Sequence, residues 1–170
     1  VRERVLHEKA DIGISFDGDG DRLTMVDAKG VIYDGDQLLY VIAASNLKSA
    51  SQGGVVGTLM TNLAIENGFK DLNVPFVRSA VGDRYVHEKL IKNNWMLGGE
   101  GSGHIICLDK HTTGDGIIAA LQVLAVLKQS QQTLEQSLSA VRLYPQLLHN
   151  LQLARKLSDS ALVRIQEMGN

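Results

Sequence analysis

Residues 55–97, VVGTLMTNLAIENGFKDLNVPFVRSAVGDRYVHEKLIKNNWML, decide the expected fold. Val55–Thr58 reads as a strand, Asn62–Asn67 as a helix, Phe76–Arg78 as a strand, Asp83–Asn93 as a helix and Trp95–Leu97 as a strand. Strands alternating with helices of about ten residues predict crossover units and an α/β layer structure. On the N-terminal side, Asp34-Gly35-Asp36 breaks a strand pattern, and Leu38, Leu39, Val41, Ile42 and Ala43 predict a well-buried helix to about Lys48, followed by a small polar loop, Ser49 to Gly53. Before it, Ile12, Ile14 and Phe16 alternate as a strand does, Leu23–Val26 reads as a second strand, and Asp27-Ala28-Lys29-Gly30 as a turn into a short third, Val31–Tyr33. Residues 1–9 read as the end of a helix, and a domain boundary is expected near Gly30.

On the C-terminal side a glycine-rich loop, Gly98 to Gly103, runs into a strand over His104–Leu108. A further loop, Thr112 to Gly116, leads into the longest helix, Ile117–Gln129. Thr133 with Gln136 three residues on predicts a capping box and a helix through Ala140. Leu147–Leu153 reads as a strand and Ser158–Met168 as a terminal helix.

At 170 residues with 44% hydrophobic content, the chain has the composition of a globular protein able to bury a core. Seventeen basic against nineteen acidic residues give a net charge of −2, so no general attraction to nucleic acid or anionic membrane is expected, and any anion must be met locally. The longest apolar stretch, Ile117 to Leu127, is about half of the roughly twenty residues a membrane span needs. Cys107 is the lone cysteine, which excludes an internal disulfide and fits a reducing compartment. The opening residues are charged and amphipathic, with neither a signal-peptide pattern nor a methionine, and are expected to be the continuation of something longer.

Chemistry concentrates in Asp17-Gly18-Asp19-Gly20-Asp21-Arg22, expected at the carboxyl end of the Ile12–Phe16 strand, where ligands sit in α/β proteins. Two like charges about 4 Å apart repel by roughly 4 kcal/mol at an effective dielectric near 20, so converging aspartates call for a cation; a solvated acidic turn is the alternative. An EF-hand calcium loop matches at Asp17, Asp19 and Asp21 but fails where glycine and glutamate are required, at Arg22 and Ala28. Magnesium, with coordination positions left for phosphate oxygens, fits better, and Arg22 offers fork-like donors to a phosphate. Gly99 to His104 combines a carboxylate (Glu100), a hydroxyl (Ser102) and an imidazole (His104), a set suited to sugar hydroxyls; a plain crossover loop is the alternative. His7, His87, His111 and His149 read as surface residues, Asp83 as a helix cap, Arg84 as solvated, and Thr112, Thr113 and Asp115 as a turn and cap.

Together these motifs resemble the α-D-phosphohexomutase superfamily: Asp17–Arg22 looks like its metal-binding loop and Gly99–His104 like its sugar-binding loop. Gly57–Asn62, Val81–Val86, Thr112–Gly116 and Tyr144–Gln146 resemble the bacterial members acting on glucosamine phosphates, in register over roughly residues 1 to 153. The resemblance implies mixed-sheet α/β/α layers, with residues 1–30 the end of the family's second domain, 31–142 a complete third domain, and 143–170 a linker and truncated start of the fourth. It implies a cytoplasmic enzyme interconverting glucosamine 6-phosphate and glucosamine 1-phosphate through a phosphoserine and a bisphosphate intermediate. Asp17, Asp19 and Asp21 would hold Mg2+, Arg22 would assist the phosphate, Glu100 and Ser102 would bind the sugar, and His104 would bind it and transfer a proton. The family's serine-histidine loop and its terminal phosphate-gripping loop are absent, so this chain alone is expected to be inactive and to hold metal weakly. A mutase acting on mannose or glucose phosphates, and a non-catalytic metal- or sugar-phosphate-binding module, remain the competing readings.

Overall fold

A computed structural model describes residues 1–46, 53–149, 152 and 158–168. Helix α1, Arg2–Glu8, ends at Lys9 in the left-handed conformation and leads into β1, Ile12–Phe16. β1 pairs antiparallel with β2, Leu23–Asp27, and β2 with β3, Ile32–Tyr33. The turn between β2 and β3 is tied by Asp27, whose Oδ1 accepts the Lys29 and Val31 amides while Oδ2 accepts the Tyr33 hydroxyl. Burial and that carboxylate push the Tyr33 phenol well above its ordinary value.

Helix α2, Gly35–Asn46, buries every side chain from Leu38 to Ala43, as expected of a helix apolar on all faces. The second sheet has the order β5, β4, β6, β7, with β4 at Val55–Thr58, β5 at Phe76–Ser79, β6 at Leu97–Gly99 and β7 at Ile105–Cys107. β4 runs parallel to β5 and β6, and β7 closes the edge antiparallel, so the sheet is mixed. Helices α3, Leu63–Asp71, and α4, Asp83–Asn93, are the crossovers. Period-two alternation separates the two faces. Val56 and Ile106 pack with Val86 and Leu90 of α4 on one side; Val55, Leu97, Ile105 and Cys107 pack on the other with α2, with Ile65 and Phe69 of α3, and with α5, Gly116–Ser130. This is an α/β/α arrangement. Leu23, Met25 and Tyr33 of the first sheet join the same core.

The capping box at α6, Leu134–Ser137, is formed: the Thr133 hydroxyl accepts the Gln136 amide and the Gln136 side chain accepts the Thr133 amide. Thr133→Ala is expected to lower stability by about 1 kcal/mol, read as a shift in denaturation midpoint.

Four expected elements differ. The helix after Thr133, expected through Ala140, stops at Ser137. The third parallel strand lies at Leu97–Gly99, two residues beyond the expected Trp95–Leu97, because Asn94 in the left-handed conformation finishes α4 and the Trp95 amide still donates to the Leu90 carbonyl. Gly98 then lies flat against Val86, where an added Cβ would stand 2.9 Å from both that side chain and the Val56 carbonyl. α3 continues past Asn67 to Asp71, since Gly68 lets Tyr40 pack against its backbone and Phe69 is fully buried. The expected strand over Leu147–Leu153 does not form in its described part: residues 147–149 and 152 are irregular, with Leu147 and Leu148 exposed, and the rest lies outside the described residues. The loop expected at Ser49–Gly53 also falls outside them, apart from Gly53. Among the described residues no helix is long and apolar enough to cross a membrane.

Candidate functional site

The Asp17–Arg22 loop leaves β1 and returns through β2, with Gly20 at φ 77° making the reversal. One carboxylate oxygen from each of Asp17, Asp19 and Asp21 lies within 4.8 Å of the others, with Asp17 and Asp19 exposed and Asp21 half-buried. Asp17 Oδ1 accepts the Arg22 amide at 3.1 Å, and the Arg22 guanidinium stands 3.7 Å from Oδ2. Desolvation acts to raise the Asp17 carboxyl, but the group is held below its ordinary range, with the Arg22 amide the largest of the causes that lower it. Three hard oxygen donors on one short loop are chemically suited to Mg2+ or Ca2+, and Asp21 Oδ1, buried with no hydrogen-bond partner among the described residues, is an acceptor that a cation would satisfy.

The second glycine loop is joined to this one by the backbone. The Leu23 amide donates to the Gly103 carbonyl at 3.0 Å, and Arg22 and His104 form an isolated antiparallel bridge. Gly103, at φ 97°, is a required glycine: a Cβ there would meet the Leu23 carbonyl oxygen at 2.2 Å. The side chains complete the join, with His104 Nδ1 lying 3.1 Å from Asp21 Oδ2. His104 is only 4% exposed, and its Nε2 has no partner among the described residues. Gly114 covers that atom, leaving 2.3 Å to where its Cβ would be. The imidazole is therefore an internal strut between the two loops, its Nε2 covered by Gly114.

Glu100 is half-buried, with Oε1 accepting the Gly82 amide at 2.7 Å at the start of α4, while Ser102 is exposed at the loop tip. Gly116 donates its amide to the Gly20 carbonyl at 2.9 Å, so the Thr112–Gly116 segment buttresses the acidic loop from below. Asp115 caps α5 through the Ile118 amide, as expected. Asp83 does not cap α4; its Oδ1 accepts the neighbouring Arg84 amide, and the exposed Arg84 pairs with Glu88. His7, His111 and His149 are exposed; His87 is half-buried and faces a polar cavity of about 320 Å³ shared with His104 and Thr112. A larger, apolar cavity of about 670 Å³ lies away from both loops, between Ile12, Leu124, Leu127 and Leu134.

Sequence reasoning overlooked two residues, one against the Gly99–His104 loop and one at the turn between β4 and α3. Asp36, 3% exposed, accepts the Asn62 amide at 2.8 Å. Arg78 donates to the Thr58, Leu59 and Thr61 carbonyls and to Glu66, fixing the turn between β4 and α3. A charged residue inside a strand of otherwise apolar character was the available signal for Arg78; Asp36 read only as part of a break.

Residues 34–144 match the family described as phosphoglucomutase/phosphomannomutase, alpha/beta/alpha domain III. The chain is 59% identical over 156 residues to the phosphoglucosamine mutase of Nitrosospira multiformis, covering 91% of this chain and 34% of that protein. It is 56% identical over 168 residues to the phosphoglucosamine mutase of Thiobacillus denitrificans, covering 97% and 37%. It thus spans about a third of the length of the curated relatives it matches. Among solved structures it resembles a putative phosphomannomutase from Thermus thermophilus, with TM-score 0.72 at 21% identity over 82% of this chain and 34% of that one. It also resembles the Aspergillus fumigatus N-acetylphosphoglucosamine mutase in complex with GlcNAc-6P and magnesium, with TM-score 0.70 at 21% identity over 94% of this chain and 44% of that one. Acidic loop, second glycine loop and mixed α/β/α sheet occur here in one connected unit, and the chain belongs to the phosphoglucomutase/phosphomannomutase alpha/beta/alpha domain III family.

Proposed function

We propose that this chain is the metal- and sugar-binding part of a phosphoglucosamine mutase, a cytoplasmic enzyme interconverting glucosamine 6-phosphate and glucosamine 1-phosphate. Residues 1–30 are the end of one domain carrying the acidic loop, 31–142 the sugar-binding domain, and 143–170 the way into the next. The observation that carries this reading is the contact between Asp21 and His104, which makes the acidic loop and the Glu100–His104 loop one surface. It is supported by identity of 55% or more to several proteins bearing that name.

In this reading Asp17, Asp19 and Asp21 hold Mg2+, which neutralises phosphoryl charge when bound. Arg22, 57% exposed at its side chain, is free to turn its guanidinium from Asp17 to a phosphate. Glu100 is fixed by the Gly82 amide so that its second oxygen faces a sugar hydroxyl, and Ser102 supplies a second contact from the loop tip. His104 steadies Asp21 through Nδ1, and proton transfer through its Nε2 requires the Gly114 turn to move aside. Such a site acts by positioning and charge neutralisation, the main demands of phosphoryl transfer. The phosphoserine implied by the family resemblance is supplied from outside these 170 residues.

Calorimetric titration with Mg2+ tests the reading. The chain is expected to bind the ion, and Asp19→Asn, at an exposed position with no packing role, is expected to weaken it at least about tenfold. Glucosamine 6-phosphate is expected to bind more tightly than mannose or glucose 6-phosphate. Absence of heat with metal and sugar phosphate alike would leave a folded module without this function.

A further inference from the structure

We propose that Asp36 is a positioning residue that couples the Glu100–Gly103 loop to the Thr58–Asn62 turn and, through Asn62, to the segment leaving the domain at Tyr144. The junction is built from both sides. Gly35, just before it, donates its amide to the Gly101 carbonyl at 3.1 Å and lies so close to the loop that a Cβ would stand 2.0 Å from the Glu100 carbonyl oxygen. Gly101 lies over the Asp36 carboxylate, its absent Cβ 3.5 Å from Cγ and from Oδ2. Oδ2 accepts the Asn62 amide, whereas Oδ1 is buried with no partner among the described residues. Asn62 carries the connection on: its Oδ1 accepts the Ala64 amide, capping α3, and the Tyr144 amide at 3.1 Å, and its Nδ2 donates to the Tyr144 carbonyl at 2.8 Å. Gln146 adds a contact to the Met60 carbonyl.

A buried carboxylate with a half-satisfied hydrogen-bonding complement makes this junction sensitive to charge. Burial pushes the Asp36 carboxyl up to about 6; the Asn62 amide, the Thr61 hydroxyl and Arg78 act in the opposite direction, and the charge of Asp34 adds to the rise. The other charged groups nearby are Glu66 of α3, paired with Arg78, and Glu100, whose carboxylate is held at Gly82. Ionised, Asp36 grips the Asn62 amide as a charge-assisted acceptor; protonated, it grips it less. Loop, turn and exit segment therefore respond together to its protonation state. That the loop faces a sugar rests on the reading above; the coupling itself does not.

Amide NMR of the whole chain between pH 4 and 8, without ligand, tests it. The Asn62 amide is expected to titrate, and Gly101 and Tyr144 amides to follow with the same midpoint. In Asp36→Asn that shared transition disappears while the spectrum stays dispersed, and in Asp34→Asn it remains. Gly101 or Tyr144 resonances that ignore the Asn62 midpoint overturn the proposal. So does a shared transition that persists in Asp36→Asn, or one that vanishes in Asp34→Asn. Should Asp36→Asn fail to fold, the native and Asp34→Asn titrations decide alone. Because no ligand is present, failure here leaves the sugar-phosphate reading intact, and failure of that reading leaves this one intact.

Discussion

Gly103→Ala is expected to lower folding stability by about 4 kcal/mol and to part the two glycine loops. Three costs add. The backbone at φ 97° is closed to L side chains, the left-handed region alone costing about 1–2 kcal/mol. The new Cβ would lie 2.2 Å from the Leu23 carbonyl oxygen and 2.8 Å from its nitrogen, backbone atoms of a fully buried residue that cannot swing away as a side-chain tip can. Relief then requires the Gly103 carbonyl to leave the Leu23 amide, losing a buried hydrogen bond worth about 1 kcal/mol and stranding the donor. Gly18→Ala is the control: nothing lies within 4 Å of its would-be Cβ, so it is expected to stay within about 0.5 kcal/mol of the native chain. Urea denaturation of both variants checks the contrast, and a Gly103→Ala chain within about 1 kcal/mol of native would show that the two loops are not held by this pairing. If the acidic loop binds magnesium as proposed, that affinity should fall in the same variant, because Asp21 keeps its place partly through His104, one residue beyond the altered position.

What the sequence made legible follows from the range of the forces involved. The α4 bounds, the β4 bounds and the Asp115 and Thr133 caps depend on residues within a few positions of one another, and the local pattern found them. Asp17, Asp19 and Asp21 could be grouped because one short loop carries them all. Gly98 and Gly99 read as loop because glycine weakens a strand, yet both are in β6: the Val86 side chain and the His104 carbonyl approach too closely for any other residue. The Asp21–His104 contact spans 83 positions and the Asp36–Asn62 bond 26, so neither could be seen before the sheets were assembled. His104 illustrates the limit most sharply. Its neighbours in sequence, glycines and a serine, are those of an exposed loop, but its backbone already bridges to Arg22, and the ring is buried.

Asp36 should also leave its mark on stability against pH, with a sign opposite to that of an ordinary salt-bridged aspartate. Its carboxyl stands at about 6 in the folded chain against 3.8 ordinarily, chiefly because burial disfavours the charged form. The folded state therefore holds this proton more tightly than the unfolded state. The stability this group contributes is fully present below about pH 3.8 and is lost as pH rises through about 6, a fall on the order of 3 kcal/mol. Asp34, raised by burial in the same way, adds to the fall, whereas Asp17, held low, acts in the opposite sense at the acid end. Comparison with Asp36→Asn cancels those shared contributions, since the amide can still accept the Asn62 amide but cannot titrate. Native stability minus variant stability, from urea midpoints, is expected to drop by about 2 kcal/mol between pH 4 and pH 7, where most of that fall takes place. A flat difference would mean that the carboxyl ionises as freely inside the fold as outside it. At neutral pH the chain thus carries a buried charge that a neutral amide would avoid, and the return is the stronger grip of a carboxylate on the Asn62 amide at the joint between loop, turn and exit segment.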